Sequence, residues 1–373
     1  MKSLAHFAGA PLLVAMLGCG GRTELQDRPW EVATNAGQAN VGATGGDVGG
    51  QGAGAGDPGG GGLGGMPGAD PVWRESREPF CGKPDSFGPA TLDLWSDRDG
   101  VFLLIDEEIY ANLGRGWSLL AKADSVGRGG LSGFPAGPLV RYGAVTERCG
   151  IEFVQRNGTY SCSGAASPWS VSVAGNDLAY GVYSDRLLRY DGKQWKQLGE
   201  PLMVPAGPSF AQVWGDDRAL VVTNDFGVFV SANGTAATLQ ADLPQIDGGY
   251  AGVWGSSNGS WWVGSVDGQL YRSDGSSWRS TFQVPGSSEC RGIRRIWGDE
   301  NALFVATDSS VWLGRAGAFE KLFELPCDGS ARVGALWGNS ASEVFIAIAY
   351  TGSLPNCGNT SLVWFDGQQT HAL

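Results

Sequence analysis

Val213-Trp214-Gly215, Val253-Trp254-Gly255, Ile296-Trp297-Gly298 and Leu336-Trp337-Gly338 repeat one mark, with tryptophans 40, 43 and 40 residues apart. Each mark runs into a polar turn: Asp216-Asp217-Arg218, Ser256-Ser257-Asn258, Asp299-Glu300-Asn301 and Asn339-Ser340-Ala341. A short apolar strand follows each turn, at 219–223, 261–264, 302–306 and 344–349. A second strand comes next, as in Ser310-Val311-Trp312-Leu313. A tight turn and a closing strand complete the unit, as in Asp274-Gly275-Ser276-Ser277-Trp278. Self-similarity at a fixed period reports a repeat architecture, each copy being one supersecondary unit.

The same grammar runs upstream in weaker form. Leu94-Trp95-Ser96-Asp97 opens a unit that ends in Gly114-Arg115-Gly116-Trp117, and Val173-Ala174-Gly175-Asn176-Asp177 opens one that ends in Asp191-Gly192-Lys193-Gln194-Trp195. A divergent unit lies between them, starting near Phe134 and turning at Asn157-Gly158. Unit starts at 95, 134, 173, 214, 254, 297 and 337 make seven units of about 40 residues. Four short strands per unit is the signature of a propeller blade. One blade cannot bury both its faces, so blades stack around an axis. The fold expected for residues 71–373 is therefore all-β, a seven-bladed β-propeller. A count of six or eight stays open because the second unit diverges. Residues 72–92, with Val72-Trp73 and Pro79-Phe80-Cys81, are candidates for an edge strand added to the last blade at ring closure.

Two local expectations follow from the repeat. The Asp-Gly and Asn-Gly pairs predict hairpin turns whose two central residues both take positive φ. The repeated Trp is expected to wedge between adjacent blades, with the following Gly letting the chain turn tightly. The competing reading makes the indoles a stacking platform for sugars.

Composition agrees with a turn-rich β protein: 61 Gly, 15 Trp and 17% charged residues. A net charge of −12, with no large basic patch, argues against a nucleic-acid partner. An acidic surface also adsorbs poorly to anionic headgroups. His6 and His371 are the only histidines, too few for a Ser-His-Asp triad or a His-rich metal site. Asp97-Arg98-Asp99-Gly100 looks like a piece of a calcium loop but lacks the later carboxylates. It also falls on the polar turn that every unit has. No metal or cofactor is expected.

Residues 1–18 read as a signal peptide, with Lys2 ahead of an apolar run from Leu4 to Leu17 that is short for a membrane span. Met16-Leu17-Gly18-Cys19 resembles the bacterial lipobox, with Met where Leu is usual. The resemblance implies lipidation of Cys19, and several acyl chains anchor stably where one does not. Gly20 follows the Cys. Asp there would resemble an inner-membrane retention signal, so the outer membrane is expected, facing the periplasm or the cell surface. Residues 19–70 form the anchored Cys and a tether. From Asn35 to Gly68 nearly half the residues are Gly, without a three-residue period. Such a segment buries too little apolar surface to fold and reaches about 30–35 Å as a flexible coil.

Six further cysteines in an exported chain read as disulfides. The blade scheme places Cys149 at the start of a third strand and Cys162 at the end of the fourth. Cys290 and Cys327 fall in equivalent inter-blade loops, and Cys81 and Cys357 near the ring closure. The expected pairs are 149–162, 290–327 and 81–357. A structural zinc site would need CxxC spacing, which the chain lacks.

In a propeller the fourth-to-first and second-to-third loops share one face. Here that face carries Pro285–Arg295, with Arg291, Arg294 and Arg295, and Tyr350–Thr360. It also carries Leu243–Tyr250. Arg291, Arg294, Arg295, Tyr250 and Tyr350 are the candidate ligand-binding residues. The arginines suit a carboxylate or sulfate, or pair with Glu289, Asp299 or Asp328 instead. Tyr190-Asp191-Gly192-Lys193-Gln194-Trp195 and Ser273-Asp274-Gly275-Ser276-Ser277-Trp278 look like turns of secreted and lipid-anchored bacterial propellers. They also resemble loosened Asp-box turns of sialidase-like propellers. That resemblance implies architecture more than activity. The function expected is an envelope-anchored, monomeric, non-enzymatic binding or scaffold module for a protein or glycan. The alternative is a sialidase-like or other polysaccharide-acting enzyme, which would need an arginine cluster, a Tyr nucleophile and acidic partners around the axis.

Overall fold

A computed structural model describes residues 92–372, except 123–128, 147–148, 164–166, 184, 203–211, 233–236, 257–258 and 352–359. The leader, Cys19, the tether, the 72–91 segment and the Cys81–Cys357 pair lie outside the described residues.

Seven four-stranded antiparallel meanders follow one another along the chain. They are blades 1 to 7, at 92–122, 130–162, 170–197, 212–239, 250–283, 293–324 and 331–372. Blade 6 is typical, with Ile293–Gly298 innermost, then Leu303–Thr307, Ser310–Arg315 and Ala318–Glu324 at the rim. Its second strand, Leu-Phe-Val-Ala-Thr, is buried throughout. A strand covered on both faces has no need to alternate. The rim strand, Ala-Phe-Glu-Lys-Leu-Phe-Glu, has no buried residue. Charge on an exposed edge discourages pairing with another chain.

The core is seven apolar layers, one at each blade boundary. Ring closure is one of these. Leu92, Leu94, Val101 and Leu103 of blade 1 pack on Ala335, Phe345, Ala347 and Ala349 of blade 7. Trp337 Nε1 donates to Ser96 O (3.1 Å), Ser96 Oγ donates to Asn339 Oδ1 (2.8 Å), and Asn339 Nδ2 donates to Asp97 O (3.2 Å). Blade 7 takes all four of its strands from 331–372, ending with Thr370–Ala372. Among the described residues the seam is closed by side chains.

The Trp-Gly mark does more than wedge. A Cβ on Gly255 would lie 2.4 Å from the Trp214 ring, one on Gly338 2.8 Å from Trp297, and one on Gly133 2.8 Å from Trp95. At these three boundaries the glycine of one blade is the seat for the tryptophan of the blade before. These glycines do not take positive φ, so the expected tight turn is not their role. Blade 2 begins with Gly130–Gly133, just before Phe134, and so keeps the seat at Gly133 while Ser132 replaces the Trp.

The turn expectation is also corrected. In the third-to-fourth turns Gly158, Gly192, Gly275 and Gly367 take φ of +83° to +95°, while Asn157, Asp191, Asp274 and Asp366 do not take positive φ. The side chain instead accepts backbone N–H bonds from two or three residues on. Asp191 Oδ1 takes Lys193 and Gln194 at 3.1 and 3.0 Å, and Asp366 Oδ1 takes Gln368 and Gln369 at 2.8 Å each. One glycine in the left-handed region plus one such acceptor makes the turn.

Cys149–Cys162 and Cys290–Cys327 form disulfides, with Cα atoms 5.5 and 5.9 Å apart. The first ties the third strand of blade 2 to its fourth. The second ties the loop entering blade 6 to the loop entering blade 7.

Candidate functional site

Alternation along an inner strand turns successive side chains to opposite faces of the blade. Two residues before the Trp the position reads Asp93, Gln212, Gly252, Arg295 and Ala335; Ala335 packs between blades 7 and 1, while Asp93, Gln212 and Arg295 line the axis. Ser170 occupies that position in blade 3. Three of these residues are long and polar, and they meet in a cavity of about 290 Å³ to which all seven blades contribute.

The floor is aromatic. Trp254 lies 6.3 Å from Trp214, 6.0 Å from Trp297 and 6.3 Å from Trp337, ring centre to ring centre. Blades 5 and 7 are not neighbours, so the Trp254–Trp337 contact crosses behind blade 6. Gln212 Nε2 likewise reaches past blade 5 to donate to Arg294 O (3.2 Å), opposite the side-chain-free Gly252.

Asp93 and Arg295 are the charged groups of the lining. Asp93 Oδ1 accepts from Leu94 N (3.0 Å), and its Oδ2 accepts from Leu131 N (2.8 Å) and Tyr142 Oη (3.3 Å). Burial raises the Asp93 pKa, against the pull of Arg295 and these donors. Burial first, and then the Asp93 charge, push the Tyr142 phenol well above its ordinary value. Arg295 makes no ion pair among the described residues. Its Nη1 donates to Arg294 O at 3.3 Å.

The five residues proposed from sequence separate. Arg295 lines the cavity. Arg294 is exposed and pairs with Asp308 Oδ2 at 3.2 Å, a partner the sequence reading did not name. Arg291 stands in the loop before blade 6, its Nε buried without a partner. Tyr350 ends the second strand of blade 7, its hydroxyl 3.3 Å from Ser361 Oγ, on the loop face but outside the cavity lining. Tyr250 is corrected. It is 2% exposed and donates to Pro244 O at 2.6 Å, because its ring packs in the layer between blades 4 and 5. Exposed aromatics on the loop face come from elsewhere: Trp169 before blade 3, Tyr183 at the end of its second strand, and Phe226 in the loop after the second strand of blade 4. Trp169 also lines the cavity.

Asp97 is a joint between blades. Its Oδ1 accepts Asp99 N (2.9 Å), and its Oδ2 takes Ala136 N (3.0 Å) and the Arg156 guanidinium (2.8 Å) from blade 2. Asp299 repeats this in blade 6, with Ala341 N of blade 7 on Oδ2 at 2.6 Å. No metal-ligand cluster occurs among the described residues.

By sequence, neither a known protein family nor a curated protein matches the chain. By structure it is similar to propellers. The computationally designed Ika8 protein aligns over 77% of this chain and 96% of its own, at 13% identity and a TM-score of 0.52. The structure titled YCF48 bound to D1 peptide aligns over 74% and 93%, at 15% identity and 0.54. The extracellular domain of a B. thetaiotaomicron protein assigned as a one-component system aligns over 74% of this chain but 38% of its own, at 10% identity and 0.55. At such identities the likeness is one of fold alone.

Proposed function

We propose that this chain is an envelope lipoprotein, anchored through Cys19 at the outer membrane. Its monomeric propeller is a non-enzymatic binding or scaffold module for a protein or glycan. The observation that carries this reading is the axial cavity: it joins Arg295 to Trp169 at its mouth, on the face that also shows Tyr183 and Phe226. Concave sites with a few convergent polar groups are where ligands bind. Two structural neighbours add support by analogy, one being an extracellular domain and one a complex with a peptide.

A polysaccharide-acting hydrolase built on paired carboxylates needs two of them, and Asp93 is the carboxylate among the lining residues.

Two measurements test the proposal. Labelling of the full chain with radioactive palmitate should be lost in Cys19→Ser, and label that persists in that variant would refute the anchor. Glycan and peptide arrays should capture a ligand that the Arg291/Arg294/Arg295→Ala and Tyr183/Phe226→Ala variants release. Capture that neither variant weakens would move the site off this face.

A further inference from the structure

We infer that the axial cavity binds the C-terminal carboxylate of a peptide, with Arg295 as the anchoring cation. This deepens the binding role proposed above and rests on it.

The lining offers donors that the protein leaves open. Most of the Arg295 fork is unspent, since one Nη1 contact to Arg294 O and no ion pair hold it. Ser170 and Ser172 accept Val213 N and Gly215 N through their hydroxyl oxygens, each at 3.2 Å, so each hydroxyl proton is left to donate elsewhere. Trp254 Nε1 is buried without a partner. On the acceptor side, Asp93 is taken up by Leu94, Leu131 and Tyr142. Such a site suits an acceptor-rich anion, and a guanidinium is the group that matches a carboxylate fork to fork. Burial holds the Asp93 carboxyl up.

Shape selects the peptide. The three tryptophans around Trp254 meet it at 6.0–6.3 Å, tilted or edge-on, a cluster packed on itself beneath the polar residues. A volume of about 290 Å³ falls at the low end of ligand sites and takes a chain end in preference to a length of polymer. A peptide terminus presents carboxylate oxygens and a neighbouring carbonyl together, which is what the donors require.

The test uses the full chain and three probes: N-acetyl-Ala-Ala acid, the same peptide as its C-terminal amide, and glucuronate. Intrinsic tryptophan fluorescence, backed by calorimetry, reads binding. The acid should give a saturable change that weakens about tenfold or more for the amide and for Arg295→Gln. Arg295→Lys should recover part of it, with both variants keeping the wild-type circular dichroism and Tm. Equal binding of acid and amide, or an unaltered Arg295→Gln, overturns the carboxylate anchor. Glucuronate binding tighter than the peptide acid overturns the peptide, and no saturable change at about 20 mM overturns the site. Array ligands lost on Tyr183/Phe226→Ala while the acid fails to bind would sink the axial pocket and leave the binding face. A blank array with the acid bound would do the reverse.

Discussion

Where blade 6 meets blade 7, Trp297 rests on Gly338 and an apolar layer of Phe304, Leu336, Val344 and Phe365 fills the space behind it. Where blade 1 meets blade 2, Trp95 rests on Gly133 in the same way, but Arg156 lies over Trp95 and Phe102 at 5.1 and 4.3 Å and pairs with Asp97. Deeper in blade 2, Arg141 and Glu152 face each other across paired strands as a 3.2 Å ion pair, with side chains 1% and 11% exposed. Blade 2 also carries the Cys149–Cys162 bond. One geometry is thus held by two chemistries. The Trp-Gly blades rely on apolar fit. Blade 2, with Ser132 in place of the Trp, keeps its apolar layers and adds a buried ion pair to them, whose contribution depends on direction and partner more than on area.

The largest expected effect breaks the charged side of this comparison. Arg141→Met leaves Glu152 buried without its partner and should cost about 3–5 kcal/mol in urea unfolding. Arg141→Met with Glu152→Leu should recover most of that loss. A double variant as weak as the single would mean that Arg141 acts through other contacts. The apolar side is tested next. Gly255→Ala forces the Trp214 ring aside and should cost about 1–3 kcal/mol, and pairing it with Trp214→Leu should return part. If Gly255→Ala proves neutral, the seat is looser than 2.4 Å implies. The smallest effect belongs to the turns, common to both kinds of blade. Asp191, bonded first by Lys196, and Asp274, bonded first by Ser276, have pKa values lowered from 3.8 to about 2. A pKa lower in the folded state gives stability that is whole above about pH 4 and lost as pH falls through about 2. Asp191→Asn with Asp274→Asn should flatten the fall in Tm between those pH values. An unchanged acid profile would remove the turns from the account.

What could be read from sequence follows the same divide. The Trp-Gly mark recurs in fixed register, so the blade count and the inner strands were legible, as were the disulfides of 149–162 and 290–327 once the blades were laid out. Blade 2 was placed late because its mark survives as Ser132-Gly133, which has no signal apart from the ring. The axial site was half legible. Arg295 stood out as a cation among acids, whereas Asp93 and Gln212 come from two other blades and share only a position on the inner strand, and Tyr142 comes from a second strand. The position two before the Trp was the available signal, and it needed the axis to give it meaning. Tyr250 misled because a tyrosine beside a long loop looks exposed, while its ring fills an inter-blade layer and its hydroxyl caps a backbone carbonyl.

The seam between blades 7 and 1 has a mechanical consequence. Its described contacts are an apolar layer and the bonds of Trp337, Ser96 and Asn339. On its other flank the strand Leu92–Asp97 is held by a ladder of backbone hydrogen bonds to its hairpin partner. The two flanks of one strand therefore answer a pull differently: the ladder shares shear along its whole length, whereas side-chain contacts release one at a time.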